Sequence, residues 1–141
     1  MMKIDVCSNM TDIIQSGVIL TSPGYPYTKY PKKQDCKKVF NFQKRTLYHI
    51  EFLGIFELES AECKWRGNIF GCQCDDVIEI GNYDGAQYQF VIETCGIKKP
   101  KETALIGTSV SIIFKSDSRS NYNGFSLKIT LLAQSEGIIK K

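Results

Sequence analysis

The chain has 141 residues, of which 43% are hydrophobic, and this length suits one domain with a hydrophobic core. Its formal net charge of +3 is too small to indicate nucleic-acid binding by itself. No run reaches the roughly 20 apolar residues that a membrane-spanning helix needs, so the composition favours a single globular domain.

The chain opens with a predicted strand and a proline-rich turn segment. Residues 18–20 are β-branched or aliphatic, which favours a brief strand. Three X-Pro steps follow, at Pro23, Pro26 and Pro31. Each proline fixes its own φ and extends the residue before it, so this segment is not helical. Its three tyrosines, Tyr25, Tyr27 and Tyr30, give it apolar surface to bury.

Later runs predict further short strands with turn signals between them. The predicted strands cover residues 39–42, 47–56, 76–80 and 89–94, a run with Val110, Ile112 and Phe114 on one face, and a run with Phe125, Leu127, Ile129 and Leu131 on one face. The run 47–56 keeps no single parity, so we expect a bulge near Leu53 and Gly54. No window combines helical periodicity with capping residues. The pattern predicts an all-β, antiparallel β-sandwich with flexible tails at residues 1–6 and 132–141.

The six cysteines are a high and even number for this length. They predict three disulfides and an oxidising compartment. A zinc site is the alternative, but Cys72 and Cys74 are spaced too tightly for a zinc knuckle, and no second matching pair follows. Asn9 begins an Asn-Met-Thr tripeptide, which is the acceptor pattern for N-glycosylation if the chain is secreted.

Charge is distributed unevenly along the chain. Residues 29–45 are rich in lysine, whereas residues 51–79 are rich in acids. A lysine-rich surface beside tyrosines suits a sulfated glycan, and the candidate residues for such a site are Lys29, Lys32, Lys33 and Lys37. The alternative is a solvated surface that keeps the protein soluble.

Catalysis is not expected from these residues. A serine hydrolase needs a base beside its nucleophile, and His49 is the only histidine. His49 lies in a predicted strand among apolar neighbours, which favours a structural role. A pair such as Glu59 and Asp76 would match a glycosidase dyad, but a small sandwich offers little room for a substrate cleft.

The order of these motifs resembles the CUB domain family, a class of extracellular β-sandwich modules. The resemblance covers residues 7–131 and rests on Cys7, residues 17–19, residues 22–26, Tyr30-Pro31, Cys36, residues 56–59, residues 76–80, Cys95-Gly96, residues 114–117 and Gly124-Phe125. It implies one disulfide-stapled, CUB-like jelly roll over residues 7–131 of a secreted protein. The chain departs from the family at Lys38, where a tryptophan is usual, and at residues 62–74, a loop that adds two cysteines.

The resemblance implies a Cys7–Cys36 disulfide and a second disulfide from the loop before Asp76 to Cys95. Within that loop a single residue, Gln73, separates Cys72 from Cys74, and a bridge between them would strain disulfide geometry. Pairing of Cys63 with Cys95 would force that bridge. The expected pairs are therefore Cys63–Cys72 and Cys74–Cys95, with Cys63–Cys74 and Cys72–Cys95 as the alternative.

The resemblance also implies a calcium site. In many CUB domains one calcium ion is held at the positions that correspond here to Glu59, Asp76 and Asp117. Calcium prefers oxygen ligands, and three converging carboxylates without a cation would repel one another. Asp75 competes with Asp76, and the phase of the following strand favours Asp76. The next loop offers further oxygens, from Ser118 and Asn121. The alternative is that these acids are ordinary solvated side chains.

A calcium-ordered loop in this family commonly presents its acids to a basic side chain of a protein partner. The resemblance therefore implies a non-catalytic, secreted module that holds Ca2+ and recognises a protein ligand. The implied ligand-binding residues are Glu59, Asp76 and Asp117, with Tyr25 or Tyr27 supporting the site from the first loop. One alternative is a free-standing, spermadhesin-like CUB protein that binds sulfated glycan, and another is a structural spacer without a ligand.

Overall fold

The computed structural model describes residues 2–8, 12–13, 16–117 and 122–134. It describes the side chains of these residues except at positions 12–13, 61–63, 66 and 70–72. Within this part of the chain the regular elements are all strands, and none is a helix. The strands are β1 (Met2–Asp5), β2 (Asp12–Ile13), β3 (Val18–Thr21), β4 (Asp35–Glu57), β5 (Ser60–Arg66), β6 (Ile69–Cys74), β7 (Val77–Tyr83), β8 (Tyr88–Thr94), β9 (Thr103–Lys115) and β10 (Gly124–Gln134).

Eight of these strands form one mixed sheet. Its order is β1-β3-β10-β4-β9-β7-β8, and β2 pairs with β4 beside this path. The β1–β3 and β2–β4 pairs are parallel, whereas the other neighbours are antiparallel. The strands β5 and β6 form a separate antiparallel hairpin.

The long strand β4 belongs to both layers of a sandwich. Its first part, residues 35–41, pairs with the half of β9 that also pairs with β7. Its second part, residues 46–57, pairs with β10, and the register with β9 shifts between the two parts. Phe114 on β9 and Phe125 on β10 bring the layers into contact, because their ring centroids lie 5.5 Å apart. The predicted all-β sandwich is therefore confirmed.

The core lies between the layers and consists of strand residues with a period of two. The buried faces are Val110, Ile112 and Phe114 on β9 and Phe125, Leu127 and Ile129 on β10, as the sequence predicts. The β4 core residues share even parity, and the buried Tyr48 belongs to this set. Gly54 has a positive φ of 63°, and the β4–β10 register is irregular opposite it. The bulge expected near Leu53 and Gly54 is therefore confirmed.

The first residues differ from the sequence-based expectation. Residues 1–6 are predicted as a flexible tail, yet Met2–Asp5 form β1 beside β3, and Ile4 and Val6 are buried. A segment this short has no periodicity from which a strand could be predicted. It forms a strand because it pairs with β3. At the other end, β10 continues to Gln134, beyond the expected domain boundary at residue 131.

Within the described side chains, two disulfides link segments of the sandwich. Cys7–Cys36 joins the segment after β1 to β4, and Cys74–Cys95 joins the end of β6 to the residue after β8. Both agree with the expected pairs, so the alternative partner for Cys95 is wrong. The β5–β6 register places Cys63 opposite Cys72. Their side chains lie outside the described part of the chain, so the third disulfide stays a prediction.

Two acids face each other on neighbouring strands, which gives stability a pH dependence. Glu79 on β7 lies directly opposite Glu93 on β8. Burial raises the pKa of the Glu79 carboxyl, and the hydrogen bond and the charge of Glu93 raise it further, while Lys115 lowers it in part. A raised pKa in the folded state means that ionised Glu79 lowers stability at neutral pH. That loss is recovered as the pH falls through the raised pKa.

We expect Glu79→Gln to raise the free energy of unfolding near pH 7 by about 0.2–1 kcal/mol, because it removes a pair of like charges directly across two strands. The gain should shrink as the pH falls through the raised pKa of Glu79, where the glutamate itself becomes protonated. Urea denaturation at several pH values measures this. Glu102→Gln is the control, since the Glu102 carboxylate lies 3.2 Å from His49 Nε2. A gain that persists undiminished in acid, or an equal gain in the control, would contradict the explanation.

Candidate metal centre

Three acidic side chains converge at one end of the sandwich. A carboxylate oxygen from each of Glu59, Asp75 and Asp117 lies within 4.8 Å of the other two. Calcium binds oxygens at about 2.3–2.6 Å, so two ligands of one ion lie at most about 5 Å apart. The observed spacing therefore falls within the range that one calcium ion spans.

Glu59 and Asp75 meet at the base of the β5–β6 hairpin. Glu59 immediately precedes β5, and Asp75 immediately follows β6. The Glu59 carbonyl accepts hydrogen bonds from the Asp75 N–H at 3.3 Å and from the Asp76 N–H at 3.1 Å. The Cys74–Cys95 disulfide ties the same base to the segment after β8. The backbone and one disulfide therefore enforce the proximity of these two acids.

Asp117 reaches the site on the segment that follows β9. Its N–H donates to Asp76 Oδ1 at 2.8 Å, and its carbonyl accepts from the Lys33 N–H at 2.8 Å. The neighbouring Ser116 donates its N–H to the Gln34 carbonyl, and its hydroxyl accepts from the Gln34 N–H, each at 2.9 Å. The proline-rich turn segment therefore holds the backbone on which Asp117 lies.

Tyr30 lies at the centre of these contacts. Its side chain is fully buried, and its ring packs edge-on against Phe114 with the centroids 5.1 Å apart. Its hydroxyl donates to Asp76 Oδ2 at 2.5 Å and accepts from the Glu59 N–H at 3.2 Å. One core side chain therefore links the two backbone segments that carry the acids.

Burial governs the ionisation of this pair. Burial raises the pKa of the Asp76 carboxyl, while the hydrogen bonds from Tyr30 and from the Asp117 N–H lower it in part. Burial also raises the pKa of the Tyr30 hydroxyl, and the hydrogen bond to Asp76 raises it further. Tyr30 therefore keeps its proton at physiological pH and remains a hydrogen-bond donor.

Of the three predicted acidic metal ligands, the structure brings two together and adds a third acid. Glu59 and Asp117 lie in the cluster, and Asp75 supplies the oxygen in the place that the sequence analysis gave to Asp76. The Asp76 carboxylate is buried beside the cluster, where it accepts hydrogen bonds from Tyr30 and the Asp117 N–H. The strand phase identifies the buried acid but not the acid whose oxygen joins the cluster. Direct coordination by Asp76 stays a prediction.

Other predicted residues lie apart from the cluster or outside the description. Ser118 and Asn121, and the glycosylation candidate Asn9, are not among the described residues. The Tyr25 hydroxyl donates to the Ile55 carbonyl at 3.0 Å, so Tyr25 supports the bulge of β4 near Gly54. Sequence reasoning named Tyr25 and Tyr27 and missed Tyr30. No spacing within the proline-rich segment distinguishes one tyrosine from the others.

The lysine-rich segment divides into surface and buried residues. The four glycan candidates, Lys29, Lys32, Lys33 and Lys37, are all exposed. Lys38 is buried, and its Nζ donates to the Ser8 carbonyl at 2.6 Å and to Ser8 Oγ at 3.1 Å. The surface part is therefore available to an anionic ligand, whereas Lys38 has a structural role.

The donor set of the cluster fits a hard divalent cation. Glu59 Oε1 and Asp75 Oδ2 are shielded from solvent, so their ionised forms lose hydration. Neighbouring like charges raise that cost, and a bound cation offsets it. All the converging atoms are carboxylate oxygens, which calcium prefers, whereas zinc sites are built mainly from sulfur and nitrogen.

Comparison with known families and sequences gives one consistent result. A family model described as "CUB domain" matches residues 7–129. Neuropilin-1a of Danio rerio is 32% identical over 130 residues, which are 90% of this chain and 13% of that protein. Neuropilin-2 of Homo sapiens is 31% identical over 110 residues, which are 77% of this chain and 11% of that protein. The chain therefore spans a small part of the length of these relatives.

Solved structures show the same architecture. The CUB1-EGF-CUB2 domain of human MASP-1/3 aligns with a TM-score of 0.70 at 25% identity, over 89% of this chain and 42% of that chain. The MASP-1 CUB2 domain, solved bound to Ca2+, aligns with a TM-score of 0.67 at 25% identity, over 88% of this chain and 99% of that chain. One of the similar structures is thus a single domain of matching extent that carries calcium.

We expect Tyr30→Phe to lower the free energy of unfolding by about 1–3 kcal/mol, because it leaves a buried Asp76 oxygen and the Glu59 N–H without the Tyr30 hydroxyl. Urea denaturation measures the change. Tyr27→Phe removes the same hydroxyl from a side chain that is 90% exposed, and it should change stability by less than about 0.5 kcal/mol. Equal effects of the two substitutions would show that the Tyr30 hydroxyl is not a structural link.

Proposed function

This chain belongs to the CUB domain family, and we propose on that basis that it is a non-catalytic, extracellular binding module. In this proposal Glu59, Asp75 and Asp117 hold a calcium ion, and the loops around the ion recognise a basic side chain of a protein ligand. The observation that carries the proposal is the convergence of three carboxylate oxygens within 4.8 Å. The similarity to a MASP-1 CUB2 domain bound to Ca2+ supports it.

Charge explains why such a site would select a basic side chain. Three ionised carboxylates carry three negative charges, and one calcium ion carries two positive charges, so one negative charge remains. A lysine or arginine that approaches it gains a charge-assisted hydrogen bond with a carboxylate oxygen. Calcium would supply the positive charge that lets the three acids stay ionised side by side, and Glu59, Asp75 and Asp117 would supply the contact to the ligand.

Order in the loops would lower the entropic cost of binding. The segments that carry Glu59 and Asp117 are already joined through Tyr30, Asp76 and the turn at Lys33. A bound ion would tie their side chains together as well. A surface that is ordered before the ligand arrives spends less binding free energy on ordering, which raises affinity.

Other features agree with a binding role outside the cell. Two disulfides are formed within the described residues, and disulfides persist in oxidising compartments. His49 Nε2 lies 3.2 Å from Glu102 Oε1 on the sheet surface, which supports a structural role for His49. A hydrolase would need this histidine as its general base. Among the described segments there is no helix with the length and hydropathy needed to pass through a bilayer.

The proposal is tested by selecting ligands with calcium. A random peptide library displayed on phage is bound to the immobilised protein in calcium chloride and eluted with EDTA. We expect the eluted peptides to be enriched in lysine or arginine, because the arrangement of the loops that contacts a basic side chain depends on the ion.

Asp75→Asn should lose this selection, since it removes one charge from the cluster. Glu102→Gln, which alters an acid that contacts His49, should keep it. Thermal unfolding of both variants confirms that each is folded. Elution of peptides without basic residues, or equal selection by Asp75→Asn, would contradict the proposed recognition.

The exposed lysines support a second candidate function, which is binding of a sulfated glycan. Retention on heparin beyond about 0.15 M sodium chloride is the expected result, since weaker surface attraction is screened at that salt concentration. Lys32→Ala with Lys37→Ala should lower the salt needed for elution. Lys98→Ala with Lys101→Ala removes the same charge from exposed positions in another loop and should have a smaller effect. Elution of the unaltered protein below that salt concentration would exclude this candidate.

A further inference from the structure

We propose that the tip of the β5–β6 hairpin, residues 64–69, inserts into the interface of a lipid bilayer that carries anionic headgroups. This hairpin includes most of the loop at residues 62–74, which departs from the family pattern. The proposed recognition of a protein ligand at the metal centre does not use the hairpin tip. Insertion is an activity separate from calcium-dependent recognition, so each can fail without the other.

The hairpin tip exposes large apolar side chains. Trp65 is 67% exposed and Ile69 is 73% exposed. The two strands form a sheet of their own, outside the eight-stranded sheet. Both exposed apolar side chains therefore lie on one two-stranded projection.

The two apolar side chains lie on opposite faces of the hairpin. The register pairs Ile69 with Arg66, the strand neighbour of Trp65. Paired residues project to the same face, and successive residues along a strand project to opposite faces. A protein that packs against one face would cover either Trp65 or Ile69 and leave the other in water. A bilayer surrounds an inserted tip on both faces, so it covers both.

The residue types at the tip suit a bilayer interface. Tryptophan prefers the boundary between headgroups and acyl chains, because its ring is apolar and its N–H is polar. Lys64 is exposed beside Trp65, and a lysine of this kind buries its stem while its ammonium group reaches lipid phosphates. A β-strand rises about 3.3 Å per residue, which places the tip about 20 Å from the acids at the hairpin base. Repulsion of those acids from the membrane is screened, since the Debye length is about 8 Å.

Trp65 reports directly on the proposal, because it is the only tryptophan in the chain. The protein is mixed with phosphatidylcholine vesicles that contain or lack phosphatidylserine, once in calcium chloride and once in EDTA. We expect its emission to shift to the blue with the phosphatidylserine vesicles under both conditions, and lipids brominated on the acyl chains should quench it. A shift in EDTA separates insertion from the calcium site, whose failure would leave this result intact.

Matched substitutions place the contact at the tip. Ile69→Asp should lower partition into phosphatidylserine vesicles about tenfold or more, whereas Ile97→Asp alters an isoleucine that is 77% exposed and should change it little. Lys64→Glu should lower partition about fivefold or more, whereas Lys98→Glu makes the same charge change at another exposed lysine and should have a smaller effect. Sedimentation with vesicles measures the partition.

Thermal unfolding of the four variants checks that each remains folded, as expected for exposed positions. Unchanged Trp65 emission with every vesicle preparation would overturn the proposal. The hairpin tip would then be a surface that binds a protein and not a bilayer. Equal losses of partition in Ile69→Asp and Ile97→Asp would also overturn it.

Discussion

The hydrogen bonds of the buried Tyr30 hydroxyl determine how the acidic end of this sandwich is built. They join Asp76, immediately before β7, to the Glu59 backbone, immediately before β5. The Tyr30 ring contacts Phe114, whose ring in turn contacts Phe125 in the other layer. In a buried environment a satisfied hydrogen bond is strong and a missing one is costly. The site is therefore anchored to the hydrophobic core.

This anchoring explains how the fold keeps like charges together. Glu59, Asp75 and Asp117 approach one another closely, and Asp76 is buried beside them with a raised pKa. Repulsion among these groups opposes folding, whereas the core, the hairpin base and the Cys74–Cys95 disulfide enforce the arrangement. A sequence that retains such a local conflict against its own stability commonly does so at a functional site. A cation that binds the folded state offsets the repulsion and stabilises the protein.

Much of the fold could be predicted from the sequence, because its signals are local. Alternation on β9 and β10 marks their core faces. The apolar residues of the run 47–56 fall on both parities in the sequence, which predicted the bulge near Gly54, although the buried ones all have even numbers. The order of cysteines, interpreted through the family resemblance, predicted the Cys7–Cys36 and Cys74–Cys95 pairs.

Other features arise from contacts between distant segments, and no local pattern reports them. Tyr30 differs from Tyr25 and Tyr27 only through what surrounds it in the folded chain. Asp75 and Asp76 are adjacent in the sequence. The alternation of the following strand predicts which of the two is buried, but it does not predict which carboxylate oxygen lies near Glu59. The strand β1 forms because β3 offers it an edge, and its own sequence is too short to predict that pairing.

A calcium titration of the EDTA-treated protein, followed by calorimetry and by thermal unfolding, tests the central claim most directly. The account predicts saturable heat for one ion and a rise in Tm, since calcium at 100 times its Kd adds about 2.7 kcal/mol to stability. Asp75→Asn should lose both effects, and Glu102→Gln should keep them. Absence of heat and of any Tm shift at millimolar calcium would contradict the claim that these carboxylates form a metal site.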